Sequence, residues 1–243
     1  MNSRYLSHFI LLICTITTVA EAQIQVHFGV EAGVPLTDTL SSTSTSSTNP
    51  IGFSIDRYNS ETKRLLIGPA FRVDLQRGLG IEFDALYQRV DYDHAIVSSF
   101  SRSFEQTTGN RWQFPLLIQY NATLSRTKLF AEAGPSISRI ANVRINISST
   151  TSTFPSTSSS TSSPAGQGGT LAGITMGGGV DLPVFHRHLR PEFRYSHWFS
   201  ASAGTAVGLG TLSISGFFIS TPMVSPTFRT NQNEASFLLG LTF

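Results

Sequence analysis

Cysteine is almost absent from these 243 residues: the single one, Cys14, lies inside an N-terminal apolar stretch. From Gln23 onward there is none, which removes disulfide frameworks, thiol catalysis and cysteine metal sites together. Long apolar runs are missing too. Phe9 to Ala20 is shorter than the roughly 20 residues a membrane helix needs. Beyond Gln23, Gly, Pro or charged residues interrupt every candidate, so no transmembrane helix is expected. A basic stripe is also lacking. The 17 Lys and Arg stand against 15 Asp and Glu and are dispersed along the chain, which gives nucleic-acid binding no support.

The N-terminus carries Arg4, then the apolar run, then the small-residue triplet Ala20-Glu21-Ala22. That order is the signature of a cleavable signal peptide, here residues 1–22, and of export. Cys14 follows Ile13 where a lipid-anchor signal wants a small residue, so it reads as one more apolar residue of the signal. Residues 23–243 then form one domain.

In that domain apolar residues recur with period two and not with helical spacing, so strands are the dominant element. Eight segments stand out: Gln25 to Leu36, Arg64 to Gln76, Leu79 to Tyr92, Arg111 to Asn121, Thr127 to Ile140, Thr170 to Leu182, His188 to Ser200 and Gln232 to Phe243. In the last, Ala235, Phe237, Leu239, Leu241 and Phe243 share one face against Glu234, Ser236, Leu238, Gly240 and Thr242. The fourth sets Trp112, Phe114, Leu116, Ile118 and Tyr120 against Gln113, Pro115, Leu117 and Gln119.

A soluble β-sandwich would alternate in the same way. The connections separate the two folds, because the gaps run long, short, long, short, long, short, long. The short ones are Arg77-Gly78, Ala122 to Arg126 and Pro183 to Arg187. That rhythm belongs to a membrane barrel with tight periplasmic turns and longer outer loops. The expected fold is therefore all-β: a closed, antiparallel, eight-stranded up-and-down transmembrane β-barrel with long extracellular loops and both termini periplasmic. Leu209 to Ser220 leaves a ten-stranded count open. The Ser/Thr runs Ser41 to Thr48 and Ser148 to Ser163 read as mobile, solvated loop tips.

With the greasy faces turned to lipid, the opposite faces collect Glu31, Arg72, Asp74, Glu82, Asp84, Lys128, Glu132, Asp181, Arg190, Glu192 and Arg194. A dry sandwich core would bury these at considerable desolvation cost, whereas a barrel lumen is polar. Seven acids against four bases cannot all be neutralised by pairing, so some carboxylates are expected to be protonated, water-bridged or cation-bound. Eight strands leave an interior that side chains fill, which favours a structural charge network over a narrow cation-preferring path. Tyr87, Trp112, Tyr120, Tyr195 and Trp198, near strand ends, are expected in the interfacial girdles.

The chain resembles the small outer-membrane β-barrel families that include outer-membrane protein X, the membrane domain of outer-membrane protein A and opacity-type porin-like proteins. The likeness rests on the final aromatic after alternating apolar positions (Phe237, Leu239, Leu241, Phe243), on Phe114-Pro115-Leu116-Leu117-Ile118-Gln119-Tyr120 and on Arg190-Pro191-Glu192-Phe193-Arg194-Tyr195. It implies that the barrel-assembly machinery reads the last strand. The glycine of that signal is expected near Leu238, and here it is Gly240.

Enzymatic readings are weak. Tyr195-Ser196-His197-Trp198 resembles the His-Ser neighbourhood of lipid A deacylases, but there the histidine precedes the serine by two. His186 and His188 lack a third nearby ligand, and Met176-Gly177-Gly178-Gly179-Val180 has no helix or Lys-Ser/Thr after it to hold a phosphate. The expectation is a monomeric, non-enzymatic outer-membrane barrel with no cofactor, metal or catalytic residues. It would contact outer-membrane lipid and lipopolysaccharide, with a structural or surface-interaction role or weak small-solute passage. A lipid-modifying enzyme and a secreted β-sandwich binding module are the alternatives.

Overall fold

The computed structural model describes residues 24–49, 52–60, 64–124, 127–153, 156–163, 168–184, 187–200, 206–214, 217–225 and 230–243. The signal segment Met1 to Ala22, and His186 with it, lie outside the described residues. The strands are β1 (Gln25–Pro35), β2 (Thr43–Asn49), β3 (Gly52–Ser60), β4 (Leu66–Asp74), β5 (Leu79–Asp84), β6 (Leu86–Ser98), β7 (Ser101–Leu124) and β8 (Thr127–Thr153). They continue with β9 (Ser156–Ser162), β10 (Thr170–Val184), β11 (Arg187–Trp198), β12 (Ala206–Ile214), β13 (Phe217–Ser225) and β14 (Asn233–Thr242). No helix among the described residues is long and apolar enough to cross a membrane.

Every pairing is antiparallel, and the pairings close on themselves. β1 bonds β4, and β4 bonds β5 and touches β6. β5 and β6 bond β7, β7 bonds β8, and β8 bonds β10. β10 then bonds β11, β11 bonds β14, and β14 returns to β1. With β5 and β6 as two halves of one strand broken at Ala85, the ring has eight members. The break is accommodated at Gly68, where an added Cβ would lie 1.9 Å from the Ala85 carbonyl oxygen, and Ala85 N–H donates to the Pro69 carbonyl. β12 and β13 form a separate two-stranded sheet, so the described residues of Leu209 to Ser220 add nothing to the ring.

The tight turns share one end with Gln25, where the first strand begins, and with Phe243. There Leu75 N–H donates to the Leu79 carbonyl across a turn with Arg77 and Gly78 at positive φ, Leu124 pairs Thr127, and Val184 pairs Arg187. At the other end the strands run on: β7 has 24 residues and β8 has 27, while a tilted membrane strand needs roughly 9–11. More than half of each projects beyond any bilayer.

Three expectations are corrected by this extension. Asp93 to Asn110, expected as a loop, is a hairpin continuing β6 and β7 with its turn at Ser99-Phe100. Most of the described residues of the Ser/Thr runs are in paired strands: β2 bonds β3, which bonds β6, and β9 bonds the end of β8. They add to an existing template edge, and cross-strand hydroxyl pairs such as Ser149–Ser160 (2.8 Å) and Ser152–Thr157 (3.1 Å) accompany the ladder.

Alternation sorts the ring's side chains as expected, with Phe28, Val30, Ile67, Phe71, Leu116, Ile118, Phe237 and Leu239 exposed outward. One bulge resets it. Asn142 sits at φ 53° beside a register shift between Thr108 and Asn110, so Ile140 faces in at an even position and Val143, Ile145 and Ile147 face in at odd ones. An added residue on one strand turns all that follow to the other face. Left-handed backbone costs a β-branched residue roughly 1–2 kcal/mol. Asn142→Val is therefore expected to lower stability by about that amount, with Asn142→Gly tolerated, as read by denaturant unfolding in detergent.

Candidate functional site

The interior of the ring is a column of tiers. Nearest the tight turns, Arg72 Nε lies 3.2 Å from Asp74 Oδ1 and Arg72 Nη1 lies 3.5 Å from Asp181 Oδ2. His188 Nδ1 lies 2.6 Å from Asp181 Oδ1, and His27 Nε2 lies 3.4 Å from Asp74 Oδ2. Lys128 is half-buried and directly opposite Asp181 in the β8–β10 register.

The next tier is built around Arg194, which is 3 % exposed. Its Nη1 donates to Asp84 Oδ2 at 2.7 Å, and its Nη2 reaches Glu132 at 3.2 Å, Glu82 at 3.3 Å and Glu31 at 3.6 Å. Its Nε donates to Glu192 Oε1. Arg190 Nη1 donates to Glu82 Oε2 and the Arg190 guanidinium lies over the Phe130 ring at 4.1 Å. All five carboxylates are buried. The glycine-rich stretch of β10 makes room for them: a Cβ on Gly177 would stand 3.1 Å from both Glu132 Oε1 and Glu192 Oε1. The tier's two groups of three acids, Glu31 with Glu82 and Asp84, and Glu82 with Glu132 and Glu192, have ligand oxygens within 4.8 Å of one another.

Above it Leu66, Leu86 and Leu238 pack into an apolar plug. A third polar tier follows, where Arg111 Nη2 pairs with Glu234 Oε2 at 2.9 Å and Arg111 donates to Ser138 Oγ (2.7 Å) and Thr39 Oγ1 (3.0 Å). The column ends in a dry cap of Leu40, Val90, Tyr92, Ile140, Val143, Ile145, Leu171 and Trp198, with Tyr58 and Ile147 against it.

The eleven predicted charges thus come together in two tiers, nine of them buried and Asp74 and Lys128 half-buried. Trp198 is a correction: it is fully buried in the cap, with the Arg111 guanidinium 5.2 Å from its ring centre, and not at the lipid interface. Its even number puts it in line with Glu192, Arg194 and Ser196, which all face in. Trp112 and Tyr120 are exposed outward, and Tyr87 and Tyr195 are half-buried. The Arg111–Glu234 pair was missed although its parity was readable, since Arg111 shares the odd register of Leu117 and Gln119. His197 is exposed and 2.8 Å from Asn233 Oδ1, whereas Ser196 faces in and bonds Thr175, so the two point to opposite sides of the wall.

A further site lay hidden in the expected loop. On the projecting part of β6, His94 Nε2 is 2.7 Å from Asp56 Oδ1 of β3 and its Nδ1 is 3.5 Å from Glu105 Oε2 of β7. Its ring stacks on Tyr58 at 4.0 Å. Burial pulls the imidazole down, but the hydrogen bonds to Glu105 and Asp56 outweigh it and hold the group above its ordinary value.

A closed antiparallel ring, greasy outside and charged within, defines a β-barrel of the membrane-inserted class. The chain belongs to the family described as outer membrane protein beta-barrel domain, whose model matches residues 21–203. Among solved structures it is similar to Neisserial surface protein A, at 12% identity and a TM-score of 0.38, over 91% of this chain and 97% of that one. No curated protein matches it in sequence.

Two outcomes are expected. Arg194→Met, which strips the tier of its central cation, should cost about 3–5 kcal/mol in detergent unfolding, as for a buried pair that loses one partner. A histidine raised in the folded state contributes stability that is complete below roughly pH 6.5 and is lost as the pH rises through its folded value. Amide exchange across Gly52–Ser60, corrected for intrinsic rates, should therefore quicken as the pH rises above roughly 6.5 and through the folded value, and His94→Gln should remove that dependence.

Proposed function

We propose that the chain spans the outer membrane as a closed eight-stranded barrel, termini periplasmic, whose plugged interior makes it a carrier for a surface platform and not a channel. The observation that carries this reading is the stack of the Leu66–Leu86–Leu238 plug and the Trp198-containing cap inside one narrow ring. The two apolar clusters narrow the polar path open to water and solutes. Beyond the bilayer the continuations of β6, β7 and β8, with β2, β3 and β9 added, offer a broad, hydroxyl-rich sheet for contact with partners.

The exposed apolar belt suits outer-membrane lipid and lipopolysaccharide, since a soluble monomer rarely shows so large a contiguous patch. Phe237, Leu239 and Phe243, exposed on the last strand, are available to the barrel-assembly machinery, with Leu241 between them. The barrel would act as a monomer after removal of residues 1–22. The separation of His197 from Ser196 supports a non-enzymatic role.

Planar-bilayer recording tests the reading, using protein first shown to be folded by heat-modifiable gel mobility. No resolved conductance steps are expected. Regular single-channel steps from the folded protein would restore the solute-passage alternative, and recovery only in the soluble fraction would remove the membrane reading altogether.

A further inference from the structure

We propose that the Arg194 tier binds a hard divalent cation, Ca²⁺ in particular, among Glu31, Glu82, Asp84, Glu132 and Glu192. The first ground is charge. Arg194 reaches all five carboxylates yet supplies one positive charge, and Arg190, the tier's other cation, is spent on Glu82. Neighbouring tiers cannot make up the difference. Below, Asp74 and Asp181 are matched by Arg72 and Lys128; above, the leucine plug separates the tier from Arg111, which has Glu234 as its partner. An uncompensated excess of buried negative charge is too costly to persist.

The second ground is independent of the acids. Gln119 is fully buried, stands opposite Glu132 in the β7–β8 register, and neither its amide oxygen nor its amide nitrogen has a hydrogen-bond partner. Glu132 Oε2 and Asp84 Oδ1 likewise accept no hydrogen bond. The missing side chain at Gly177 keeps the space between Glu132 and Glu192 open.

The geometry fits an ion. Oxygens bound to one Ca²⁺ at roughly 2.3–2.6 Å can be separated by no more than about twice that length. The oxygens of Glu31, Glu82 and Asp84, and those of Glu82, Glu132 and Glu192, meet this limit at 4.8 Å. Donor chemistry selects the ion: the tier offers carboxylates, while His27 and His188 belong to the tier below, so nothing favours zinc or copper. An irregular carboxylate cage suits the flexible coordination of Ca²⁺ better than the strict octahedron of Mg²⁺.

The test uses the chain refolded in detergent without lipopolysaccharide, stripped with EDTA and then dialysed against CaCl₂. Retained calcium is measured by elemental analysis, alongside the unfolding temperature. About one ion per folded chain is expected, with none on the heat-unfolded chain and a higher unfolding temperature with calcium than with EDTA. Glu31→Gln or Glu132→Gln, according to which group of acids holds the ion, should weaken retention about tenfold or more, while Asp74→Asn should not. Absence of retained calcium on the folded wild-type chain would overturn the proposal in favour of a tier neutralised by protons, and so would retention at the wild-type level in both glutamate variants.

Discussion

The pairing of β1 with β14 is the contact on which the rest depends. In hydrocarbon each unpaired backbone amide or carbonyl costs several kcal/mol, so a sheet can cross a membrane only when no edge remains. The register from Gly29–Thr242 to Pro35–Ser236 removes the last edge of the ring. Closure at eight strands then fixes the bore, which is just wide enough for side chains. Whatever alternation turns inward must therefore stack as a column, and the tiers are the result. Arg111 with Glu234 neutralises itself and can sit between apolar layers; the Arg194 tier cannot do so with its own side chains.

That column explains which parts of the molecule were legible in advance. Period two alone placed the inward charges and the outward belt, because a strand's faces follow from residue number and nothing else. The same rule, applied one step further, would have placed Arg111 and Trp198 inside. Trp198 was misread because an aromatic at a strand end suggests an interface, whereas its register turns it inward with Glu192, Arg194 and Ser196. The bulge at Asn142 was not legible: nothing in Ile140-Ala141-Asn142-Val143 marks the shift in phase, and it is fixed by the pairing with β7.

The projecting sheet defeated the composition argument for a related reason. Ser/Thr-rich segments cannot form a core of their own, but composition does not reveal whether an edge is waiting for them. β3 finds one on β6 and inserts Tyr58 against the dry cap, with His94 clamped between Asp56 and Glu105. Site and scaffold were thus missed together, since His94 and Glu105 face each other only once the loop is seen to be a hairpin.

The two hydroxyl-rich strands consequently differ in how firmly they are held. A net hydrogen bond contributes about 0.5–1.5 kcal/mol, against about 1–2 kcal/mol of backbone entropy for each residue ordered, so a ladder alone does not secure a strand. β2 is tied through β3 to the cap and to Tyr58. β9 pairs with the end of β8 alone, through serines and threonines that bury no apolar side chain. The β8–β9 tip is accordingly the part of the platform whose present pairing is least costly to exchange, and a partner offering a better-matched strand or more apolar contact would displace β9 before it displaced β2.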